Sequence, residues 1–262
     1  MDYTYSKNAA IEIVKKAGEI AKKYFSSPDL ISTAKSDMDF LTQADQEVDD
    51  FIRVSIKEHF PDAQLLTEET SSGDFSFVKD ASNLWVVDPI DGTTNFSRSD
   101  EHFSISLALV QEGQPQMGIV FLPMEDRLYF ASLEEDHSTC NNEIISVSST
   151  KDFKAASIGY DWSWDLAKRE EMMNILHKMY LEVRQPRSLG SAAADLCMVA
   201  DGRLDGYINM GLKPWDIAAG MLIAQKAGAV VLSPDKKDLS IFTPDILAAN
   251  KAISEKLQHL LG

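Results

Sequence analysis

The stretch from Trp85 to Phe96, WVVDPIDGTTNF, combines residue types that bind metal ions with residue types that bind phosphate. Asp88 and Asp91 offer carboxylates at the end of an apolar run. Gly92 permits close approach of the backbone to a ligand, and the Thr and Asn residues after it are typical of helix starts, where N–H groups point outward and bind phosphate. This stretch therefore predicts a site that holds a metal ion and a phosphate group side by side.

Further acidic residues begin or end other apolar runs and can join the same site. They are Glu68 and Glu69 after QLLT, Asp216 in KPWDIAAG, and Asp45 at the start of a helical pattern. Mg²⁺ prefers oxygen ligands, and a few carboxylates with water and substrate phosphate usually hold it. Two such ions roughly 3.5–4 Å apart can activate water on one side and neutralise the leaving oxygen on the other. Several elements of the chain thus supply the carboxylates that a two-metal hydrolase needs.

Simpler explanations exist for these acids. The pattern D-x-x-D-G-T can be an acidic turn capped by glycine. Asp45 follows Thr42 at the spacing of a helix cap, and Asp216 would favour the dipole at a helix start. In an extended segment Glu69 points away from Glu68, which predicts a position at the surface or behind the site. The five histidines show no metal-ligand spacing and are predicted to be structural or exposed.

A similar phosphatase motif, the D-x-D-G-T of the haloacid-dehalogenase phosphatases, does not fit. Pro89 stands two residues before Asp91, where that chemistry needs its nucleophilic aspartate. The spacing therefore excludes an aspartyl-phosphate mechanism of that type.

The elements that must position these residues change in character along the chain. Helical spacing predicts helices at 6–26 and 42–59, and the polar segment between them is predicted to be a loop. Strands are predicted at QLLTEE and NLWVVD, followed by an antiparallel meander of HFSISLALVQ, QMGIVFLP and RLYFAS. Beyond about residue 150 short strands alternate with helices at 165–180, 191–201, 215–227 and 251–261. We predict one layered α/β domain over 1–262 with two lobes, 1–150 carrying most of the predicted metal ligands and 151–262.

Composition limits the class of protein. The chain has 25 Lys and Arg against 41 Asp and Glu, a net charge of −16. Such an acidic surface repels phosphate backbones and anionic lipids, so we expect neither a nucleic-acid nor a membrane partner. There is no signal-peptide pattern, and no apolar run approaches the ~20 residues of a membrane helix. Cys140 and Cys197 form no metal or redox motif, and a soluble cytoplasmic protein is expected.

The ordered set of motifs resembles the inositol monophosphatase family, within the wider group of lithium-sensitive, Mg²⁺-dependent sugar phosphatases. The resemblance is carried by TEET (67–70), WVVDPIDGTTNF (85–96) and LKPWDIAAG (212–220), with support from LTQADQ (41–46), CNNE (140–143) and LGSAA (189–193). It implies an α/β fold, the αβαβα sandwich of the inositol monophosphatase and fructose-bisphosphatase type. It also implies a homodimer and Mg²⁺-dependent hydrolysis of phosphomonoesters with two or three ions.

The resemblance implies roles for individual residues as well. The first Mg²⁺ would be held by Glu68, Asp88 and the carbonyl of Ile90, and the second by Asp88, Asp91 and Asp216. The amides of Gly92 and Thr93 would bind phosphate. Thr93, paired with Asp45, would help to orient a water that Glu68 and the first ion activate. The residues that would contact the substrate are Lys35, Gly190, Ser191, Ala192, Asn209 and Lys213.

Substrate specificity is less defined by the motifs. Family members that use inositol phosphate usually carry a glutamate where GYINMG has Asn209, and a histidine or arginine where Lys213 stands. The loss of an acid favours a more anionic substrate, whereas the D-G-T-T-N core favours the inositol branch over the nucleotide pattern D-G-T-K-E. We predict hydrolysis of inositol-1-phosphate to inositol and phosphate. The alternatives are a nucleotide-type phosphatase for NADP or phosphoadenosine phosphate, a broad-specificity sugar phosphatase, and a non-catalytic regulatory protein on the same fold.

Overall fold

A computed structural model describes residues 3–25, 27, 32–34, 40–75, 78, 80–234 and 239–261, with the backbone alone at 32–34, 40 and 41. The helices in these ranges are α1 (Tyr3–Tyr24), α2 (Gln43–His59), α3 (Thr93–Ser97), α4 (Leu166–Met179), α5 (Ala192–Ala200), α6 (Pro214–Lys226) and α7 (Lys251–Leu261). The strands are β1 (Ser32–Ala34), β2 (Phe40–Thr42), β3 (Gln64–Thr67), β4 (Leu84–Asp91), β5 (Ser104–Gln111), β6 (Gln114–Leu122), β7 (Arg127–Ser132), β8 (Thr139–Cys140), β9 (Glu143–Ile144), β10 (Ser157–Tyr160), β11 (Gln185–Arg187), β12 (Gly206–Asn209), β13 (Val230–Leu232) and β14 (Ile246–Ala249).

Two large sheets and three helix layers alternate. One sheet has the order β3-β4-β5-β6-β7-β8-β9 and is antiparallel except for the β3–β4 pair. The other sheet, β11-β10-β12-β14-β13, is mixed. Helices α1 and α2 cover the outer face of the first sheet, α5 and α6 lie between the sheets, and α4 and α7 cover the second. This order of layers confirms the predicted αβαβα sandwich.

The burial of alternate residues in β4 explains how one strand joins two layers. Successive strand residues point to opposite faces of a sheet. Trp85 and Val87 therefore pack in the core beneath α1 and α2, whereas Val86 packs in the core around α5 and α6. The whole strand is buried, so the acids at its end are held in a rigid frame.

Helix α6 lies unusually close to β6. A Cβ at Gly118 of β6 would come within 2.7 Å of the Ala219 carbonyl oxygen of α6, so only glycine permits this approach. Because Asp216 stands in the first turn of α6, the packing of this helix fixes that carboxylate relative to the first sheet.

The structure corrects one predicted element. Part of the polar segment between the first two helices is paired as β1 and β2, so the predicted loop is wrong there. Strands of three residues are too short to show a period in the sequence.

Among the described residues no helix is long and apolar enough to cross a membrane. The strands of the first sheet all precede residue 150 and those of the second follow it. The two-lobe division at that residue stays a prediction.

Candidate active site

A bulge in β4 brings Asp88 and Asp91 to the same side of the sheet. Asp88 lies opposite Ser106 of β5 and Asp91 opposite Ser104, so three steps along β4 match two steps along β5. In a regular strand, residues three apart point to opposite faces. The extra residue in β4 places the two aspartates on the same face instead. Strand β4 therefore continues through Pro89 to Asp91 and does not end at Asp88.

Asp88, Asp91 and Asp216 form a compact carboxylate cluster. One oxygen from each lies within 4.8 Å of the others, which is close enough for a shared metal ion with small side-chain movements. Asp88 is buried, and its Oδ1 has no hydrogen-bond partner among the described residues. Most buried polar atoms in proteins do have such a partner. The cluster therefore has the donor set and the missing contact that a hard cation would satisfy.

The raised pKa values of the cluster show that negative charge is concentrated there. Burial raises the pKa of Asp88 well above its usual value, and the charges of Glu68, Asp91 and Asp216 raise it further. Burial also raises the pKa of Asp216, with Asp91 and Glu68 adding to the effect. Glu68 follows β3 and lines the same pocket. Since like charges in a buried site disfavour ionisation, this group needs a cation to stay fully ionised.

Asp91 is oriented by the start of α5. Its Oδ2 accepts hydrogen bonds from the hydroxyls of Ser191 and Ser104 and from the Ala193 amide at 2.8 Å. Its Oδ1 accepts one from the Ala192 amide at 3.2 Å. Burial raises the pKa of Asp91 to about 6, although these hydrogen bonds lower it. Ser191 thus contacts a carboxylate of the cluster and is not among the residues that line the pocket, whereas Gly190 and Ala192 are.

Asp45 links a helix cap to the site. Thr42 is the cap of α2, and Asp45 accepts hydrogen bonds from both the amide and the hydroxyl of Thr42. The other oxygen of Asp45 lies 3.1 Å from the Thr93 hydroxyl, which is also 3.1 Å from the Ile90 carbonyl oxygen. Burial raises the pKa of Asp45 to about 6. The capping role and the contact with Thr93 therefore coexist.

The turn after Asp91 requires glycine. Gly92 has φ +99°, and a Cβ there would lie 3.1 Å from the Gly190 carbonyl oxygen and 3.2 Å from the His102 carbonyl oxygen. A side chain at this position is therefore disfavoured both by the backbone conformation and by lack of space. The tight turn places Thr93 at the start of α3, beside the carboxylate cluster.

The residues predicted to contact substrate are not all in the pocket. Asn209 lines it but is almost fully buried, with its amide nitrogen donating to the Tyr207 hydroxyl at 2.9 Å and its oxygen accepting from the Met210 amide at 2.7 Å. Lys213 is exposed and does not line the pocket. Lys35 lies outside the described residues.

One wall of the pocket, the segment 161–164 after β10, was not predicted from the sequence. Asp161 is buried and accepts hydrogen bonds from the Gly190 amide at 2.7 Å and the Tyr207 hydroxyl at 3.0 Å. Burial, together with the nearby charge of Asp195, raises the pKa of Asp161 well above its usual value. Trp162 and Trp164 line the pocket beside it. The only sequence signal was an acid at the end of a predicted strand, in AASIGYDW.

Comparison with known proteins identifies relatives along the whole chain. The model of the inositol monophosphatase family matches residues 2–261. Nus factor SuhB of Vibrio cholerae is 38% identical over 226 residues, covering 86% of this chain and 83% of the relative. The crystal structure of SuhB from Bartonella henselae has a TM-score of 0.89 at 29% identity and covers 98% of each chain.

A third relative has been solved with ligands. Inositol monophosphatase II of Staphylococcus aureus (SaIMPase-II) has been crystallised with bound inositol monophosphate, at a TM-score of 0.81 and 26% identity, covering 97% of this chain and 92% of that one. It has also been crystallised with bound 2′AMP, at a TM-score of 0.79 and 26% identity, covering 95% and 91%.

These relatives overturn one prediction. Proteins named Nus factor act with the transcription machinery, so the expectation of no nucleic-acid partner is wrong. The reasoning rested on the total charge of −16. A total does not describe the local potential of any one surface, and it does not limit association through protein contacts.

Proposed function

Because the chain belongs to the inositol monophosphatase family, we propose that it hydrolyses small phosphomonoesters in a Mg²⁺-dependent reaction. The observation that carries the proposal is the buried cluster of Asp88, Asp91 and Asp216, in which Asp88 Oδ1 lacks a hydrogen-bond partner among the described residues. A protein that only needed a scaffold would gain stability by losing these charges, since buried like charges oppose folding.

The carboxylates are assigned to metal binding. Glu68, Asp88 and the Ile90 carbonyl would hold one ion, and Asp88, Asp91 and Asp216 another. When bound, Mg²⁺ would supply a Lewis acid that polarises the phosphate ester and lowers the pKa of water. The hydrogen bonds from Ser191 and from the first amides of α5 keep the Asp91 carboxylate in a fixed orientation.

Thr93 and Asp45 are assigned to the attacking water. The Thr93 hydroxyl has two acceptors within reach, Asp45 and the Ile90 carbonyl, so its own proton points toward them. Its lone pairs remain available to accept a hydrogen bond from a water molecule and so to orient that water. The amides of Gly92 and Thr93 would bind the phosphate oxygens at the glycine turn. In-line attack by water needs no covalent enzyme intermediate.

Inositol-1-phosphate is the substrate that we propose first. The family and the SaIMPase-II complex with inositol monophosphate support this choice. The SaIMPase-II complex with 2′AMP supports a nucleoside phosphate as a second candidate, and so do the aromatic side chains of Trp162 and Trp164 in the pocket wall of this chain.

Phosphate release from purified protein tests the proposal. We expect turnover of inositol-1-phosphate with Mg²⁺, complete loss in EDTA, and recovery when Mg²⁺ is restored. Thr93→Val should lower kcat by roughly 10²-fold, while Thr93→Ser, which keeps the hydroxyl, should retain most of it. Absence of turnover on inositol, sugar and nucleoside phosphates alike would refute the enzymatic function and favour a regulatory protein on this fold.

A further inference from the structure

Two tryptophans form an exposed aromatic surface at the pocket. Trp162 and Trp164 keep 40% and 50% of their surface accessible and line the same pocket as the carboxylate cluster. The other two tryptophans of the chain, Trp85 and Trp215, are buried. Tryptophan is the largest apolar side chain and is usually mostly buried, so a pair of exposed indoles in a pocket wall indicates a binding surface.

The segment that carries the two indoles is held in place. Asp161, directly before Trp162, is fixed by the Gly190 amide and the Tyr207 hydroxyl. The Ser163 hydroxyl accepts a hydrogen bond from the Asp165 amide at 3.1 Å. The Ser163 carbonyl accepts one from Arg169 Nε at 2.5 Å. These bonds fix the backbone before any ligand arrives, which reduces the entropy lost on binding.

The rings themselves also have supporting contacts. The Trp162 ring meets the Tyr160 ring edge-on, with centroids 5.5 Å apart and an interplanar angle of 89°. The Arg169 guanidinium lies 5.6 Å from the centre of the Trp164 ring. An aromatic ring held in this way offers a flat face for stacking with little cost in side-chain freedom.

The charge of the pocket restricts what stacks there. The cavity, about 350 Å³, is lined both by the carboxylates and by the two indoles. Among the described residues that line it there is no lysine or arginine. Arg169, which lies against the Trp164 ring, is not among these lining residues, so a second phosphate would find no cation in the described lining, whereas an uncharged planar ring would gain stacking contacts with the indoles. This favours a monophosphate over a bisphosphate.

From these features we propose that Trp162 and Trp164 form a subsite for the base of a nucleoside monophosphate whose phosphate lies at the carboxylate cluster. The proposal rests on the proposed phosphatase function and narrows its substrate class. The indoles determine specificity; they take no part in bond cleavage. The phosphate ester is hydrolysed by water to a nucleoside and inorganic phosphate, as for any other monoester.

Selectivity measurements test the subsite. For wild type, Trp162→Leu and Trp164→Leu, kcat/KM is measured for adenosine 2′-monophosphate and for inositol-1-phosphate. Loss of one indole should raise KM for the nucleotide roughly tenfold, with inositol-1-phosphate changed by less than about twofold. Trp162→Phe, which keeps a flat ring, should retain most of the nucleotide activity. Tyr180→Leu, which removes an aromatic ring that is 57% exposed and outside the pocket lining, is the matched control.

Binding of adenosine, which has no phosphate, separates this inference from the proposed function. Adenosine should quench tryptophan fluorescence in wild type and not in the double variant Trp162→Leu/Trp164→Leu. Quenching without turnover of any phosphomonoester would support the subsite and refute the phosphatase. Turnover of inositol-1-phosphate with no quenching, or with an unchanged ratio of kcat/KM values in the Leu variants, would overturn the subsite alone. A change of oligomeric state with an unchanged ratio would assign the indoles to a subunit interface and would also overturn it.

Discussion

Asp88→Asn should stabilise the protein when metal is absent. The wild-type carboxylate is buried beside Glu68, Asp91 and Asp216, and its Oδ1 has no hydrogen-bond partner among the described residues. Its pKa is therefore raised, and the folded state binds a proton that the unfolded state has already released. By linkage, a raised carboxyl pKa makes wild-type stability fall as pH rises above the unfolded value of about 3.9 toward the folded pKa. Asparagine has no such penalty.

Asp91 sets the scale of the effect. Its pKa rises from 3.8 to about 6 even though hydrogen bonds from Ser191, Ala193 and Ser104 oppose the rise. A shift of about 2 pKa units is worth ~3 kcal/mol of folding free energy at a pH above both values. Asp88 Oδ1 lacks such hydrogen bonds, so its penalty has the same sign and the same main cause, burial. For a chain of this size, a penalty on the scale of that for Asp91 corresponds to a change in Tm of roughly 6–12 °C.

The assay is thermal unfolding at pH 8 and at pH 4.5, in EDTA and in Mg²⁺. In EDTA at pH 8, the Tm of Asp88→Asn should exceed the Tm of wild type. The difference in Tm should shrink at pH 4.5. In Mg²⁺ the difference in Tm should shrink, since an ion at 100 times its Kd adds about 2.7 kcal/mol to wild type and less to a variant without the shared ligand.

Asp205→Asn is the matched control for this comparison. Asp205 is a buried carboxylate outside the pocket that accepts hydrogen bonds from Ser148 and from the Ser157 amide. Its substitution should lower Tm in both conditions and leave the response to Mg²⁺ unchanged. The prediction would be refuted if Asp88→Asn were less stable than wild type in EDTA at pH 8. It would also be refuted if Mg²⁺ raised the Tm of the variant as much as that of wild type.

Three further predictions concern other parts of the structure. Asp45→Asn should lower kcat by roughly 10²-fold with little change in KM, because the partner of the Thr93 hydroxyl is altered; steady-state kinetics measure this, and an unchanged kcat would remove the pair from the mechanism. Asp195→Asn should flatten the fall in stability as pH rises above the unfolded carboxyl pKa of about 3.9 in EDTA, since burial raises the pKa of Asp195 in the folded state; an unchanged slope of urea midpoints against pH would contradict this. Gly118→Ala should cost about 1–3 kcal/mol in urea unfolding because its Cβ would press on Ala219, and a neutral result would show that α6 can move away.

Much of the metal end of the site was predictable from sequence. Chemistry limits which residues can hold Mg²⁺, so acids at the ends of apolar runs could be recognised without knowing their positions in space. Asp88, Asp91 and Asp216 do meet. Asp45 was predicted both as a helix-capping residue and as the partner of Thr93, and the structure contains both contacts.

The substrate end was not predictable in the same way. Asn209 was expected to face the substrate, yet both polar atoms of its side chain bond to neighbouring residues, and Lys213 stands outside the pocket lining. Trp162 and Trp164 gave no signal, because an isolated aromatic residue in a loop looks the same whether it faces solvent, a core or a ligand.

By itself, the sequence determined which residue types could do chemistry and the order of elements that carry them. The tertiary structure decided which of those residues share a surface. The bulge between Asp88 and Asp91 shows the difference: regular strand geometry would separate their carboxylates, and one extra residue against β5 brings them together. That outcome depends on strand pairing across the sheet, and pairing is set by packing between distant segments rather than by local residue preference.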